Sequence, residues 1–266
     1  MASEDSTVDV LLEDLLASIK AVLGEELVGI YLYGSYVSGG FDPGVSDLDL
    51  VAVTAAAVDG IDLAGLERMH ADVVDRHPEW TDRVEVVYVG SSALRSFRTS
   101  PGPLAVTSPG EPFHRRGEPL VDWLQNWYLI RETGVALVGP PAATLVPPIA
   151  WNEFVGAAAR YAAEVSSRSL TTASPGSLAY SVLTMCRASM TVAAQQHGSK
   201  QEAAAWARER LPEWAWLIDA ALACRVARGA VGFDDERTRA AAVAFIGILA
   251  AEIQRQPTPS GGRERG

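Results

Sequence analysis

Residues 34–50, GSYVSGGFDPGVSDLDL, contain the pattern that decides the fold of the chain. Gly34 and Ser35 follow one apolar run, and Asp47 and Asp49 begin a second one. Side chains along a β-strand alternate between its two faces, so the two aspartates are expected to point the same way. The stretch therefore predicts a strand, a Gly-Ser turn into a short helix, and a second strand that carries two carboxylates on one face.

The two carboxylates predict a bound cation. Aligned like charges repel each other, and a fold tolerates this repulsion mainly when a cation lies between them. Carboxylate oxygens suit Mg2+, which binds few carboxylates and completes its shell with water and phosphate oxygens. Backbone N–H groups at a Gly-Ser turn can hold phosphate oxygens. Asp47, Asp49 and the turn together predict a site for Mg2+ and a nucleoside triphosphate.

A third acid interrupts the apolar run VEVVYV at 84–89. The carboxylate of Glu85 would be costly to bury without a partner, so we expect it to lie beside the two aspartates. There it would accept the proton of an attacking hydroxyl group or share a second metal ion. The alternative is that Glu85 is a charge on an edge strand that prevents aggregation.

Three small residues complete the candidate site. Gly34 has no side chain where the backbone must approach phosphates, and Ser35 can donate its hydroxyl group to the same oxygens. Ser46 either braces the turn before Asp47 or binds a terminal phosphate. Each signal is weak alone, because solvated carboxylates at strand ends are common. The ordered set of strand, Gly-Ser, helix, Asp-x-Asp strand, helix and Glu strand predicts a nucleotidyltransferase-type site.

Size and charge narrow the class of protein. The 266 residues are enough for two modest domains, and the hydrophobic fraction of 48% supports a packed core. The formal net charge of −11 argues against nucleic acid as a partner and suits a cationic small molecule, although acidic surfaces also improve solubility. The N-terminus has no secretory pattern and no apolar run reaches the length of a membrane span. A cytoplasmic protein with no membrane partner is expected.

Apolar periodicity predicts alternating helices and strands in the first half of the chain. Residues 98–119 are rich in Pro, Gly and Ser, which predicts a long surface loop, with the option of a strand at 104–107. Proline pairs at 140–141 and 147–148 predict a linker. The expected helices are 7–23, a short one after Ser35, 62–76 and 119–132; the expected strands are 27–33, 47–53, 84–89 and 135–138.

The second half of the chain has a helical pattern, with helices expected at 151–168, 176–196, 200–210, 213–228 and 235–254. A capping box, S-x-x-E from Ser199, begins the third of them. We therefore expect an α/β domain over 1–148 and a C-terminal all-helical bundle over 149–256, with a binding cleft between them. The Pro, Gly and Ser-rich tail 257–266 is expected to be disordered.

Two stretches resemble a known family. GSYVSGGFDPGVSDLDLVAV, residues 34–53, resembles the nucleotidyltransferase signature of Gly-Ser followed by an Asp-x-Asp strand. SVLTMCRASMTVAAQQHGSKQEAAAWARERLPEW, residues 181–214, is similar to the helical domain of the aminoglycoside 3''/9-adenylyltransferases, the spectinomycin and streptomycin resistance enzymes. The shared pattern is V-L-T-x-x-R, then S-K, A-x-x-W and L-P. The resemblance extends from about residue 25 to about 250 and is weakest at 90–120.

This resemblance implies that the first domain is a nucleotidyltransferase-fold mixed sheet with helices. It also implies a reaction and its residues. ATP binds with Mg2+ at Asp47 and Asp49, a hydroxyl group of the drug attacks the α-phosphorus, and pyrophosphate leaves. Glu85 matches the catalytic base of the family. Arg187 is the arginine of V-L-T-x-x-R and Lys200 is the lysine of S-K; both match residues that reach the nucleotide from the helical domain.

The roles of the two basic residues can also be predicted from their positions in the helices alone. Lys200 is expected in the first turn of a helix, where the helix dipole disfavours a cation and a bound triphosphate would reverse that effect. The alternative is a solvated lysine. Arg187 lies in an otherwise apolar helix and needs an anion, which is either the nucleotide or an acid such as Glu153 or Glu164 in a structural salt bridge.

The acceptor is predicted from a departure from the family pattern. Streptomycin-modifying relatives have an acidic residue a few positions before V-L-T, whereas residues 174–180 here, SPGSLAY, contain none. Spectinomycin, which is smaller and less charged, is therefore favoured over streptomycin. The alternatives are another small molecule, a protein acceptor, or a nucleotide-binding regulator that has lost its activity. One chain supplies every part of the expected site, so a monomer suffices.

Overall fold

The computed structural model describes residues 4–117, 123–168, 170–227 and 232–256. The chain divides into two compact units, Met1–Leu120 with Asn126–Pro148 and Val121–Gln125 with Ile149–Gly266. The tail 257–266 and the first residues of the predicted helix 119–132 lie outside the described residues. Within those ranges, none of the helices is both long and apolar enough to cross a lipid bilayer.

The first unit is built on a mixed six-stranded sheet, and this confirms the predicted fold class for the N-terminal half. The strand order is β5-β4-β3-β2-β1-β6. β2 and β3 are parallel, whereas the other neighbouring pairs are antiparallel. In chain order the elements are α1 (Glu4–Leu23), β1 (Leu27–Tyr33), α2 (Ser35–Ser38), β2 (Leu48–Thr54), α3 (Leu63–Arg76), β3 (Val84–Gly90), α4 (Ser91–Arg95), β4 (Leu104–Ser108), β5 (Glu111–Arg116), α5 (Trp123–Thr133) and β6 (Val135–Val138).

The helix α1 packs on the sheet through one apolar face. Leu11, Leu15 and Ile19, at helical spacing, are completely buried in the same core as the β-strands. Asp14, on the same helix, accepts hydrogen bonds from Arg76 and His77 at the end of α3. The hydrogen bond from Arg76 is the main cause that holds the pKa of Asp14 below its usual value. The charge cluster therefore fixes α1 to α3.

Of the long surface loop predicted at 98–119, the optional strand at 104–107 is confirmed as β4, whereas the loop prediction is wrong for β5. β4 and β5 form an antiparallel hairpin in which Leu104 pairs with Arg116. Pro109 and Gly110, two of the residues that suggested a loop, form the turn of this hairpin. Gly110 has a φ of +74°. β5 is one of the two edge strands of the sheet. It carries proline and charged residues, as edge strands commonly do. Its sequence therefore lacks the apolar alternation that marks a strand.

The second unit is helical, as predicted, and contains α6 (Trp151–Ser167), α7 (Pro175–Ala193), α8 (Lys200–Arg210), α9 (Ala215–Val226) and α10 (Glu236–Arg255). Most of α7 is buried on all sides, which explains its nearly continuous apolar sequence. It ends three residues earlier than predicted. The capping box is present: Ser199 Oγ accepts from the N–H of Glu202 at 3.1 Å, and Glu202 Oε2 accepts from the N–H of Ser199 at 2.7 Å.

Candidate active site

Three polar side chains form a row across β1, β2 and β3, which are neighbouring inner strands of the first unit's sheet. Asp49 on β2 is the register partner of Tyr33 on β1 and of Glu85 on β3. Register partners point to the same face of a sheet, and neighbouring strands are about 4.8 Å apart. The hydroxyl group of Tyr33 donates a hydrogen bond to Glu85 Oε1 at 3.4 Å. The fold therefore brings the carboxylate of Glu85 beside Asp49, and Glu85 is on an inner strand of the sheet, not on an edge.

β2 begins one residue later than predicted, at Leu48, so Asp47 lies directly before the strand. Ser46, Leu48 and Leu50 are buried, whereas Asp47 and Asp49 are partly exposed. This alternation places both aspartates on the same face. Among the described residues, no group of three or more His, Cys, Asp or Glu side chains is arranged to hold a metal ion.

Gly34 makes room for the carboxylate of Asp49. Its backbone has φ +73° and ψ −148°, a region that residues with a side chain rarely adopt. A methyl group at this position would overlap the carboxylate, 2.8 Å from Asp49 Cγ. The close approach of the backbone and the two hard carboxylate ligands fit Mg2+, which in proteins commonly takes one or two carboxylates together with phosphate oxygens.

Substitution of Gly34 by alanine is expected to displace Asp49. The backbone conformation alone should cost about 1–3 kcal/mol of stability, and the overlap should also weaken Mg2+-dependent ATP binding. Gly39→Ala is the matched control, because Gly39 also has positive φ, +76°, but an added methyl group there meets no atom within 4 Å. We expect Gly39→Ala to lose about 1 kcal/mol and keep ATP affinity, as measured by denaturation and calorimetry. Wild-type ATP affinity in folded Gly34→Ala would contradict this assignment.

The turn before Asp47 is tied closely together. The N–H of Asp42 donates to Ser46 Oγ at 2.9 Å, and the N–H of Ser46 donates to the carbonyl oxygen of Asp42 at 2.9 Å. Ser46 is buried and its hydroxyl group accepts the hydrogen bond that braces the turn, while its binding of a terminal phosphate stays a prediction. Ser35 opens α2, a single helical turn, and is partly exposed. Its predicted contact with phosphate stays a prediction.

In the second unit, two cations lie near one tyrosine. Lys200 is the first residue of α8, and its Nζ lies 4.8 Å from the centre of the Tyr180 ring on α7. The pKa of the Tyr180 phenol lies below its usual value: burial acts to raise it, but the positive charges of Lys200 and Arg187 and the hydrogen bonds with Tyr161 and Thr184 together outweigh burial. These residues therefore share a region of positive potential.

Among the described residues, no ion pair is found between Arg187 and either acid of its alternative explanation, Glu153 or Glu164. Glu164 instead pairs with Arg168 at 2.9 Å, and Glu153 accepts from the N–H of Ala150 at 2.9 Å. Arg187 is the one partly exposed residue in the otherwise buried stretch 181–190. Burial and the nearby charge of Arg187 lower the pKa of His197 to about 4. The predicted contact of Arg187 with the nucleotide stays a prediction.

Three residues that contact the predicted site residues were not predicted from the sequence. Tyr33 immediately precedes the Gly-Ser pair, but its contact with Glu85 depends on the register of three strands. Tyr180 lies seven residues before Arg187, so helical periodicity puts both on one face of α7. Arg83, whose guanidinium group binds the turn before Asp47, is two residues before Glu85 and gave no signal of its own.

The comparisons with known proteins agree with this arrangement. Residues 16–89 match the family model described as a nucleotidyltransferase domain. This range contains β1, β2 and nearly all of β3, with Gly34, both aspartates and Glu85. The fold and the site thus define the first unit as a nucleotidyltransferase domain.

Residues 144–251 match the family model described as the C-terminal domain of aminoglycoside adenylyltransferase. The two matches together support the aminoglycoside adenylyltransferase family of nucleotidyltransferases. Among solved structures, the spectinomycin adenyltransferase AAD(9) from Enterococcus faecialis, crystallised with ATP and spectinomycin, has a similar fold, with a TM-score of 0.69. It is 16% identical, and the match covers 91% of this chain and 99% of that one. The comparison with curated proteins gave no match.

Proposed function

We propose that this protein transfers AMP from ATP to a hydroxyl group of an aminoglycoside or aminocyclitol antibiotic, and that spectinomycin is a better acceptor than streptomycin. Such a modification would confer resistance to the drug. The observation that carries the proposal is the register of β1, β2 and β3, which sets Glu85 beside Asp49 with the backbone of Gly34 against the same carboxylate. We further propose that the protein acts in the cytoplasm as a monomer.

In this proposal Asp47 and Asp49 would hold Mg2+ together with the triphosphate, and Glu85 would become a metal ligand only if a second ion bound. A bound ion would supply positive charge to offset the charge that develops on the phosphates. The fixed backbone at Gly34 keeps Asp49 in place, so that its carboxylate need not reorganise when the nucleotide binds.

Glu85 is the general base in the proposed reaction. Its carboxylate accepts the proton of the drug hydroxyl group as that oxygen forms a bond to the α-phosphorus and the bond from this phosphorus to the β-phosphate oxygen breaks. The hydrogen bond from Tyr33 to Oε1 orients the carboxylate that takes the proton. AMP becomes attached to the drug, pyrophosphate is released, and the proton passes from Glu85 to solvent.

Several residues would bind the triphosphate. Gly34 and Ser35 offer backbone N–H groups and a hydroxyl group to phosphate oxygens, and Ser46 supports the turn beside them. Arg187 and Lys200 would supply positive charge to the phosphates. The charges of Lys200 and Arg187 contribute to the lowered pKa of Tyr180, which supports an anion-attracting role for this pair.

The choice of acceptor rests on charge. A net charge of −11 favours the approach of a cationic drug. The first turns of α7, and the residues just before them, contain no carboxylate that could bind a strongly cationic drug such as streptomycin. The similarity of fold to a spectinomycin adenyltransferase supports the same preference.

The direct test is mass spectrometry of each drug after incubation with the protein, ATP and Mg2+. We expect spectinomycin to gain one adenylyl group and streptomycin to react more slowly or not at all, with pyrophosphate released only when drug, ATP and Mg2+ are all present. Asp47→Asn serves as the inactive control, also in a resistance assay in cells. Label from ATP that appears on proteins of a cell extract would indicate a protein acceptor. ATP binding without transfer to any of a broad set of acceptors would indicate a regulator.

A further inference from the structure

Arg83 binds the chain on both sides of Asp47. Its guanidinium group donates two hydrogen bonds to the carbonyl oxygen of Ser46, from Nε at 3.1 Å and Nη2 at 3.0 Å. Its own carbonyl oxygen accepts a hydrogen bond from the N–H of Leu48 at 2.9 Å. One residue thus holds the peptide groups immediately before and after Asp47.

The guanidinium group is itself held in place. Arg83 is only 6% exposed, and its Cζ lies 4.3 Å from the centre of the buried Trp80 ring. Arginine is rarely buried to this extent, because its charge loses hydration. The planar guanidinium group presents donors in a fixed geometry, which a flexible lysine does not provide. The arrangement therefore favours an oriented contact with the Ser46 carbonyl group.

The contact with Ser46 also holds the whole turn that precedes the aspartates. Asp42 and Ser46 are joined by hydrogen bonds in both directions, so the turn 42–46 is a closed unit. Arg83 fixes this unit to the start of β3, two residues before Glu85. The distance between the Asp47 and Glu85 carboxylates depends on this attachment, because Asp47 itself lies outside the paired part of β2.

We propose that Arg83 is a positioning residue for the metal-nucleotide site: it sets the Asp47 carboxylate relative to Glu85 by holding the Ser46 peptide group. This inference rests on the proposed function, in which Asp47 is a ligand of the metal. Residues that support metal ligands typically change metal affinity by about 10–100-fold when they are replaced.

The test compares wild type with Arg83→Met in binding an ATP analogue that cannot be cleaved between its α- and β-phosphates. Calorimetry with and without Mn2+ gives two dissociation constants, and thermal denaturation gives the stability. We expect Arg83→Met to raise the dissociation constant in Mn2+ about tenfold and to leave the constant without metal unchanged. If Arg83→Met does not fold, Arg83→Lys takes its place and is judged by the same outcomes, since lysine keeps the charge but not the paired donors.

The control is Arg76→Met. Arg76 belongs to the same unit but binds Asp14 and not the turn 42–46. We expect this variant to keep the wild-type constants. A folded Arg83 variant with an unchanged constant in Mn2+, or with the same loss with and without Mn2+, would overturn the positioning role. Wild-type protein that binds Mn2+ with the analogue but modifies no drug would overturn the proposed function and leave this inference standing.

Discussion

Asp49→Asn is expected to lower the rate of AMP transfer at least about a hundredfold while the protein stays folded. The carboxylate is the central member of the row with Tyr33 and Glu85, and it is the proposed metal ligand nearest to both. Loss of metal stabilisation of a transition state is worth several kcal/mol, and about 1.4 kcal/mol corresponds to a tenfold change in rate. Turnover with spectinomycin, ATP and Mg2+ measures the effect.

The matched control is Asp72→Asn, which removes an exposed carboxylate from α3. It is expected to keep full turnover. Because both variants lose one negative charge, this control shows whether the loss of charge alone lowers the rate. Far-ultraviolet circular dichroism and the thermal midpoint show whether each variant is folded. A folded Asp49→Asn variant that retains more than about a tenth of wild-type turnover would show that this carboxylate is not a ligand of the catalytic metal.

Glu85→Gln is expected to lower turnover by about two to four orders of magnitude, the usual contribution of a general base. Glutamine has nearly the same shape and can still accept a hydrogen bond from Tyr33, so the site should keep its geometry. ATP binding in the presence of Mg2+ should therefore remain close to wild type, in contrast to Asp49→Asn. Single-turnover rates and calorimetric ATP affinity measure the two effects separately.

Glu67→Gln, which changes an exposed acid on α3, provides the control for Glu85→Gln. Two outcomes would revise the role of Glu85. Normal turnover would mean that another group accepts the proton. Loss of Mg2+-dependent ATP affinity together with turnover would mean that Glu85 is mainly a metal ligand, the second role that the sequence allowed.

The central strands could be predicted because most of their residues are apolar. The runs at 27–33 and 84–89 differ from β1 and β3 by at most one residue. β5 could not be predicted in this way, because an edge strand needs no apolar alternation and its hairpin turn uses the proline and glycine that also mark loops. Short helices such as α4 have too few residues to show a period.

The candidate site was predictable in its residue types and only partly in its geometry. Asp47 and Asp49 share a face because strand side chains alternate, which is a local rule. The contact from Tyr33 to Glu85 and the attachment of Ser46 to Arg83 join residues 52 and 37 positions apart. These contacts depend on strand order and register, which are set by the packing of the whole sheet and not by nearby residues.

The most direct measurement is a crystal structure of the protein with Mn2+ and an ATP analogue that cannot be cleaved at the α-phosphate, with the metal located by its anomalous scattering. We expect the anomalous peak in direct contact with carboxylate oxygens of Asp47 and Asp49 and with phosphate oxygens, and the α-phosphorus on the side that faces Glu85. A metal bound away from both aspartates, or an α-phosphate that faces away from Glu85, would contradict the account.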